Sequence, residues 1–209
     1  MLPTLLKVLV RCPFLLGFGL CLPSIPQAVT PALEVVSIKE ETPFHVRVRP
    51  LADLISKGEG DYNAVNRGWA GDTPGGIQRL TGKTFDQFTV GQVMDMQRRW
   101  LYAVGRYQFI PRTMRFAVAN SDVTRQDMFT SDTQDRLFAT LLEHKRPVIG
   151  QYLQGAPVPL WRALDAVARE WASVEYRSGR SYYRGVGGNR AHITRSEVKN
   201  VLTSIRNSI

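Results

Sequence analysis

Glu59 is the residue best disposed to do chemistry. It sits between Gly58 and Gly60, directly after a stretch in which Leu51, Leu54 and Ile55 recur at the i, i+3, i+4 spacing of one helix face. Pro50 suits a first helical position because it has no N–H to lose there. Glycine is the usual residue where a helix stops and the backbone turns tightly. The spacing therefore predicts a helix from residue 50 that ends at Glu59 and presents its carboxyl group from a packed support. A carboxylic acid held half out of water has a raised pKa and a fixed direction, which is what a general acid requires. The same residues also describe a solvated carboxylate beside a turn. If a second carboxylate takes part, the candidates are Asp61 and Asp72. Asp61 is only two residues away and is expected to point elsewhere. Asp72 lies in the glycine-rich stretch that follows, where it also reads as an ordinary turn residue.

Composition narrows the chemistry. The chain has 209 residues, 44% hydrophobic and 22% charged, in keeping with one ordinary globular domain plus an appendage. Its net charge of +9 implies an anionic partner: nucleic acid, a membrane surface or an acidic polymer. The basic residues are scattered, in runs no longer than two, and there is no groove-reading motif, so nucleic acid is not expected as a partner. The two cysteines, Cys12 and Cys21, both lie near the start, and His45, His144 and His192 have no metal-ligand spacing. No metal and no cofactor are expected.

The elements that must position Glu59 can be read in order. Residues 1–32 look like a secretory signal: Lys7 and Arg11, then an uncharged, mostly apolar run from Cys12 to Leu22, then small residues at which Ala32 or Ala28 could be the cleavage site. Such a run is too short to span a bilayer, which takes roughly 20 residues. The alternative is a retained N-terminal helix serving as a loose anchor. Residues 33–49 form a linker or a first strand, because Val46 and Val48 alternate with Arg47 and Arg49. Residues 60–88 are dense in glycine turns and predict a small irregular β-hairpin region that could wall one side of a cleft.

From Thr89 onward the pattern is helical. Thr89 caps a helix with Val90, Val93, Met94 and Trp100 on its apolar face. Pro111 starts another, and Thr124 with Asp127 looks like a capping box. Residues 131–145 carry Leu137, Phe138, Leu141 and Leu142 on one face, and residues 147–153 make a short helix. Pro159 opens a helix striped with Leu160, Leu164, Val167, Ala168 and Trp171. A loop rich in Tyr, Arg and Gly fills residues 174–193. Thr194 and Glu197 then start a final helix, with Val198, Val201, Leu202 and Ile205 inward.

Three segments now stand in order: Glu59 followed by Tyr62-Asn63-Ala64-Val65-Asn66, then Ala103-Val104-Gly105-Arg106-Tyr107-Gln108-Phe109-Ile110-Pro111-Arg112-Thr113, then a helix ending Trp171-Ala172-Ser173. In this order they resemble the lysozyme-like superfamily of peptidoglycan-cleaving enzymes, in particular the bacteriophage lambda-type lysozyme and, more distantly, the soluble lytic transglycosylases. The resemblance covers about residues 50–205. The transglycosylase signature usually has Ser directly after its Glu; here Gly60 stands there, which puts that supporting contact in doubt and moves the match toward the phage-type enzymes.

The resemblance implies a mainly α, α+β lysozyme-like domain over residues 50–209. It also implies cleavage of the β-1,4 bond between N-acetylmuramic acid and N-acetylglucosamine, with Glu59 as general acid and then base. A lytic transglycosylase needs only that one carboxyl group, since the sugar's own 6-hydroxyl attacks and leaves a 1,6-anhydro product. A hydrolytic lysozyme would pair Glu59 with Asp72. Two-carboxylate glycosidases hold the pair about 5–5.5 Å apart for retention or about 6.5–9.5 Å for inversion. Tyr107 and Gln108 lie where the family lines its cleft, and an aromatic face with an amide suits an N-acetyl sugar; Tyr107 reads equally as core. Asn63 and Asn66 either orient Glu59 and bind sugar or serve as turn residues. Ser173 and Tyr182 follow from the Trp-Ala-Ser match and the loop after it, and Trp171 reads as core. Arg177, Arg180 and Arg184, interleaved with Tyr176, Tyr182 and Tyr183, could line a polysaccharide groove. The expected partner is the glycan strand of peptidoglycan, met by a monomer in the periplasm or outside the cell, with no stable membrane span after signal cleavage. A non-catalytic wall-binding module on the same fold is the competing expectation.

Overall fold

Helix α2, Arg49–Glu59, forms where the apolar spacing predicts it, and Leu51, Ala52, Leu54 and Ile55 are its buried residues. Pro50 occupies the second helical position, because Arg49 already belongs to the helix. The computed structural model describes residues 42–186 and 190–209, all within one compact unit, Glu40–Ile209. The expected secretory signal at 1–32 lies outside the described residues. Among the described residues there are nine α-helices and one two-stranded antiparallel sheet, so the protein is mainly helical with a small β element. None of these helices is long and apolar enough to cross a membrane.

Before α2, the end of the stretch expected to be a linker or a first strand is helical: α1 spans Phe44–Arg47. Val48 is fully buried while Val46 is 41% exposed, and Phe44 packs against the core. The spacing that matters is therefore Phe44 to Val48, one helical turn, and not the alternation of the two valines.

The sheet pairs β1, Val65–Asn66, with β2, Ala103–Val104, placing Val65 opposite Val104. The small β region expected within residues 60–88 thus takes its second strand from nearly forty residues further along. The rest of that stretch is a turn closed by a bridge between Asn66 and Asp72, a 3₁₀ turn at Gly68–Ala70, helix α3 at Gly76–Thr81 and a second 3₁₀ turn at Phe85–Gln87. Gly75 and Gly82, which look like hairpin turns in the sequence, are the two left-handed residues bracketing α3.

Beyond it, α4 (Val90–Arg99) begins with a reciprocal capping box between Thr89 and Gln92. Trp100 does not join its apolar face: it ends the helix, is 41% exposed, and yields the inward place to Leu101. Helix α5 spans Pro111–Ala119 with proline in its first turn. Thr124 and Asp127 do bond to one another, but they close a turn; the following helix α6, Ser131–Thr140, is capped by Thr130. A π-helical turn, Leu141–Lys145, continues it and leads into α7, Pro147–Leu153. Helix α8, Leu160–Glu170, and helix α9, Arg195–Arg206, complete the fold, the latter opened by the expected box between Thr194 and Glu197. Helices α7 and α9 pack against α8, and α9 also packs against α2.

The interior holds an unexpected charge. Asp135 on α6 is 2% exposed. It accepts from the Arg49 guanidinium at 2.7 Å, from the Tyr62 hydroxyl at 3.0 Å and from the Tyr107 hydroxyl. Arg106 extends the network, donating to Tyr62 at 2.9 Å and to Asp53 at 2.6 Å. Burial first, and the Asp135 charge second, push the Tyr62 hydroxyl above its ordinary pKa. One carboxylate thereby ties together the start of α2, the chain leaving α2, the segment after β2, and α6. Asp135→Asn replaces an acceptor by a donor facing Arg49. Because Arg49 is half-exposed and can rehydrate, the expected loss is about 2–3 kcal/mol of unfolding free energy, measured by urea titration with an unchanged m value.

Candidate active site

Glu59 is the last residue of α2, and the two glycines beside it do different work. Gly60 leaves the helix at φ 142°, ψ −165°, a conformation open to glycine, and a Cβ there would lie 2.6 Å from Ala64 Cβ. Gly58 is still helical. A Cβ on it would lie 2.4 Å from Ser173 Cβ, so the missing side chain is what lets the turn after α8 approach α2. That turn is anchored from both sides. Trp171, 3% exposed, packs on Phe138 with ring centroids 5.1 Å apart, and the Ser173 carbonyl accepts from His192 N at 2.7 Å and Ile193 N at 3.0 Å.

Across this approach the Ser173 hydroxyl donates to Glu59 Oε1 at 2.7 Å. Burial pushes the Glu59 carboxyl above its ordinary value of 4.5. Hydrogen bonds from the Ser173 hydroxyl and amide work against that rise, Asp72 adds to it, and His192 opposes it. Burial wins, so Glu59 holds its proton to higher pH than a solvated glutamate and is aimed by a fixed donor.

Glu59 opens onto a cleft of about 460 Å³. Its lining includes Asn66, Asp72, Tyr102 and Gln108, together with Thr113, Lys145, Arg146, Glu170 and Tyr183. Asn66 Nδ2 donates to Asp72 Oδ1 at 2.8 Å, so the turn between them fixes the direction of an exposed carboxylate. Gln108 sits in a tight turn whose ends, Val104 and Phe109, exchange backbone hydrogen bonds of 3.2 and 2.9 Å. At φ 47° it is the one non-glycine residue with positive φ among the described residues, and its Nε2 donates to Gly105 O at 3.0 Å. Such strained residues concentrate at functional sites.

Of the residues singled out from sequence, Glu59, Asn66, Asp72, Tyr107 and Gln108 border this cleft, and Ser173 touches Glu59. Tyr107 does so as part of the wall: it is 2% exposed, stacks on Phe138 at 4.4 Å and spends its hydroxyl on Asp135. Asn63 is elsewhere. Its Oδ1 accepts from Phe85 N at 2.9 Å, joining the chain after α2 to the second 3₁₀ turn. Asp61 accepts from Asn63 N at 2.8 Å in the same turn. Tyr182 is exposed and packs on Tyr176 and Tyr183; of the three, Tyr183 reaches the cleft.

The cation pair in this lining, Lys145 and Arg146, has no signal in the sequence. Lys145 ends the stretch 131–145 that the apolar spacing marks as helical, and Arg146 follows it. The π turn swings both toward Glu170, which accepts from Lys145 and, at 2.8 Å, from Arg146 Nε; Lys145 also donates to Thr113 Oγ1 at 3.0 Å. Among the described residues no group of three or more His, Cys, Asp or Glu side chains is arranged to hold a metal ion. Comparison of the chain with protein-family models, curated proteins and solved structures finds no match.

Two outcomes test this geometry. Gly58→Ala loses about 1–3 kcal/mol through overpacking against Ser173, even though alanine outranks glycine as a helix former by about 1 kcal/mol; chemical denaturation measures the sign. Ser173→Ala removes a donor to the charged form, so Glu59 titrates at still higher pH, which carbon NMR of its labelled carboxyl group reads directly.

Proposed function

We propose that the protein is a peptidoglycan-cleaving muramidase, acting on the β-1,4 bond between N-acetylmuramic acid and N-acetylglucosamine as a lytic transglycosylase. One observation carries this reading: a glutamate at the end of a packed helix, its pKa raised by burial, aimed by Ser173 into a cleft of saccharide size. The resemblance of the segments at 59–66, 103–113 and 171–173 to lysozyme-like enzymes supplies the substrate class. Glu59 donates its proton to the glycosidic oxygen as the bond to the muramic anomeric carbon breaks. The muramic 6-hydroxyl oxygen then bonds to that carbon, and its proton returns to Glu59, leaving a 1,6-anhydro ring and a restored acid. Asn66 and Gln108, which line the cleft with Asp72, offer amides to N-acetyl groups. The first step needs protonated Glu59, so activity falls as pH rises through its elevated pKa. In this reading the enzyme is a monomer that works in the periplasm or outside the cell after losing residues 1–32.

A hydrolytic lysozyme is the second reading, favoured by Asp72. Its carboxylate is oriented by Asn66, borders the cleft, and lies near enough to Glu59 to raise its pKa. The experiment is a digest of purified peptidoglycan with products weighed by mass spectrometry, beside a Glu59→Gln control. Muramic products lighter by one water, abolished in the control, are expected. Free reducing ends would indicate hydrolysis and make Asp72→Asn the next variant. An inactive folded protein that still binds the polymer would be a wall-binding module instead.

A further inference from the structure

The cations Lys145 and Arg146 form a partition. They line the cleft on one side and, on the other, a second pocket of about 380 Å³ between the start of α7 and the exposed face of α8. Five cations line that second pocket: Lys145, Arg146, Arg162, Arg169 and Arg177. Asp165 is the single acid among its lining residues. Asp165 is already engaged, by Arg177 Nε at 2.8 Å and by Arg195 at 2.9 Å, and Glu170 serves the two partition cations from the cleft side.

Arg162 and Arg169 form no ion pair with a carboxylate among the described residues, although the Asp165 charge is felt at Arg169. Both are exposed, and seven residues apart they share one face of α8. Each is braced on aromatic rings: Arg162 lies 5.4 Å from the Trp161 ring centre, and Arg169 lies 5.6 Å from that of Tyr176 while donating to its hydroxyl at 3.1 Å. A guanidinium held by stacking loses little freedom when it takes a carboxylate in its fork. Trp161, Pro147 and Val148 add apolar surface beside these charges.

We propose that this second pocket binds the carboxylates of the peptide branches carried by the glycan strand in the cleft. The inference rests on the muramidase reading for the identity of that strand. Because Lys145 and Arg146 border both spaces, an occupant of the pocket can belong to the same molecule as an occupant of the cleft. The sugar rings of the strand are neutral, whereas its peptide branches carry several carboxylates on short aliphatic residues. That mixture matches unpaired arginines beside Trp161 and Val148.

The test uses the full chain with Glu59→Gln, with and without the double substitution Arg162→Gln, Arg169→Gln. The probe is the free stem tripeptide L-Ala–γ-D-Glu–diaminopimelate, followed by calorimetry. Neither arginine touches Glu59 or Ser173, and an unchanged thermal midpoint certifies the fold. The expected result is salt-sensitive binding that weakens at least tenfold in the double variant and is lost when the carboxylates are amidated. With Glu59 restored, the double variant should show a raised KM and unchanged kcat on intact peptidoglycan, and unaltered kinetics on glycan strands stripped of peptide. Equal tripeptide affinity in both proteins, or inorganic phosphate binding more tightly than the tripeptide, would overturn the proposal. So would kinetics indifferent to the double substitution on intact peptidoglycan, with the muramidase reading left standing. Failure to cleave any strand by a chain that binds the tripeptide at these arginines would overturn the muramidase reading alone.

Discussion

The site depends on one close approach: the last turn of α2 against the turn at Ser173. Gly58 makes it possible by offering no Cβ where Ser173 must lie. The approach accomplishes two things at once. It buries Glu59, which favours the protonated carboxyl, and it supplies a hydroxyl donor that fixes the direction of that carboxyl. The two effects oppose each other in pKa, and the balance leaves an acid that is both raised and oriented. A more exposed glutamate would lose the first property, and a glutamate buried without Ser173 would lose the second.

Asp135 holds the frame in which that approach occurs. Burying a carboxylate is costly unless it is paired and hydrogen-bonded. Arg49, Tyr62 and Tyr107 satisfy it from three separate parts of the chain. Two of those residues flank Glu59 in sequence, and the third precedes Gln108. The same polar cluster therefore sets the start of the acid-bearing helix, its exit, and the strained turn on the cleft wall. Buried polar networks specify geometry more than they add stability, and here the specified geometry is that of the cleft.

Charge is distributed to match. The net charge of +9 is not spread evenly in its consequences. Many arginines are committed to acids, as Arg106 is to Asp53 and Arg136 is to Asp122. Two cations without such an ion pair, Arg162 and Arg169, lie on the face of α8 beside the partition of Lys145 and Arg146, so the lining of the second pocket is predominantly basic.

The sequence by itself determined most helices, because their signals are local. The i, i+3, i+4 pattern of Leu51, Leu54 and Ile55 and the caps at Thr89 and Thr194 require only neighbouring residues. It also identified Glu59 as an acid at a helix end, and the short motifs pointed to Gln108 and Ser173. Tertiary structure decided what those motifs touch. That Val65 pairs with Val104 and not within its own glycine-rich stretch, that Tyr107 spends its hydroxyl on Asp135, and that Asn63 braces Phe85 away from the cleft all depend on contacts between distant segments. The pair Thr124 and Asp127 shows the limit from the other side, since the same hydrogen bonds close a turn as readily as they start a helix. Lys145, Arg146 and Arg162 carry no distinguishing spacing, and a π turn with one face of α8 makes them neighbours. Local propensity chose the elements, and the burial of Asp135 and the bare Cα of Gly58 chose how they meet.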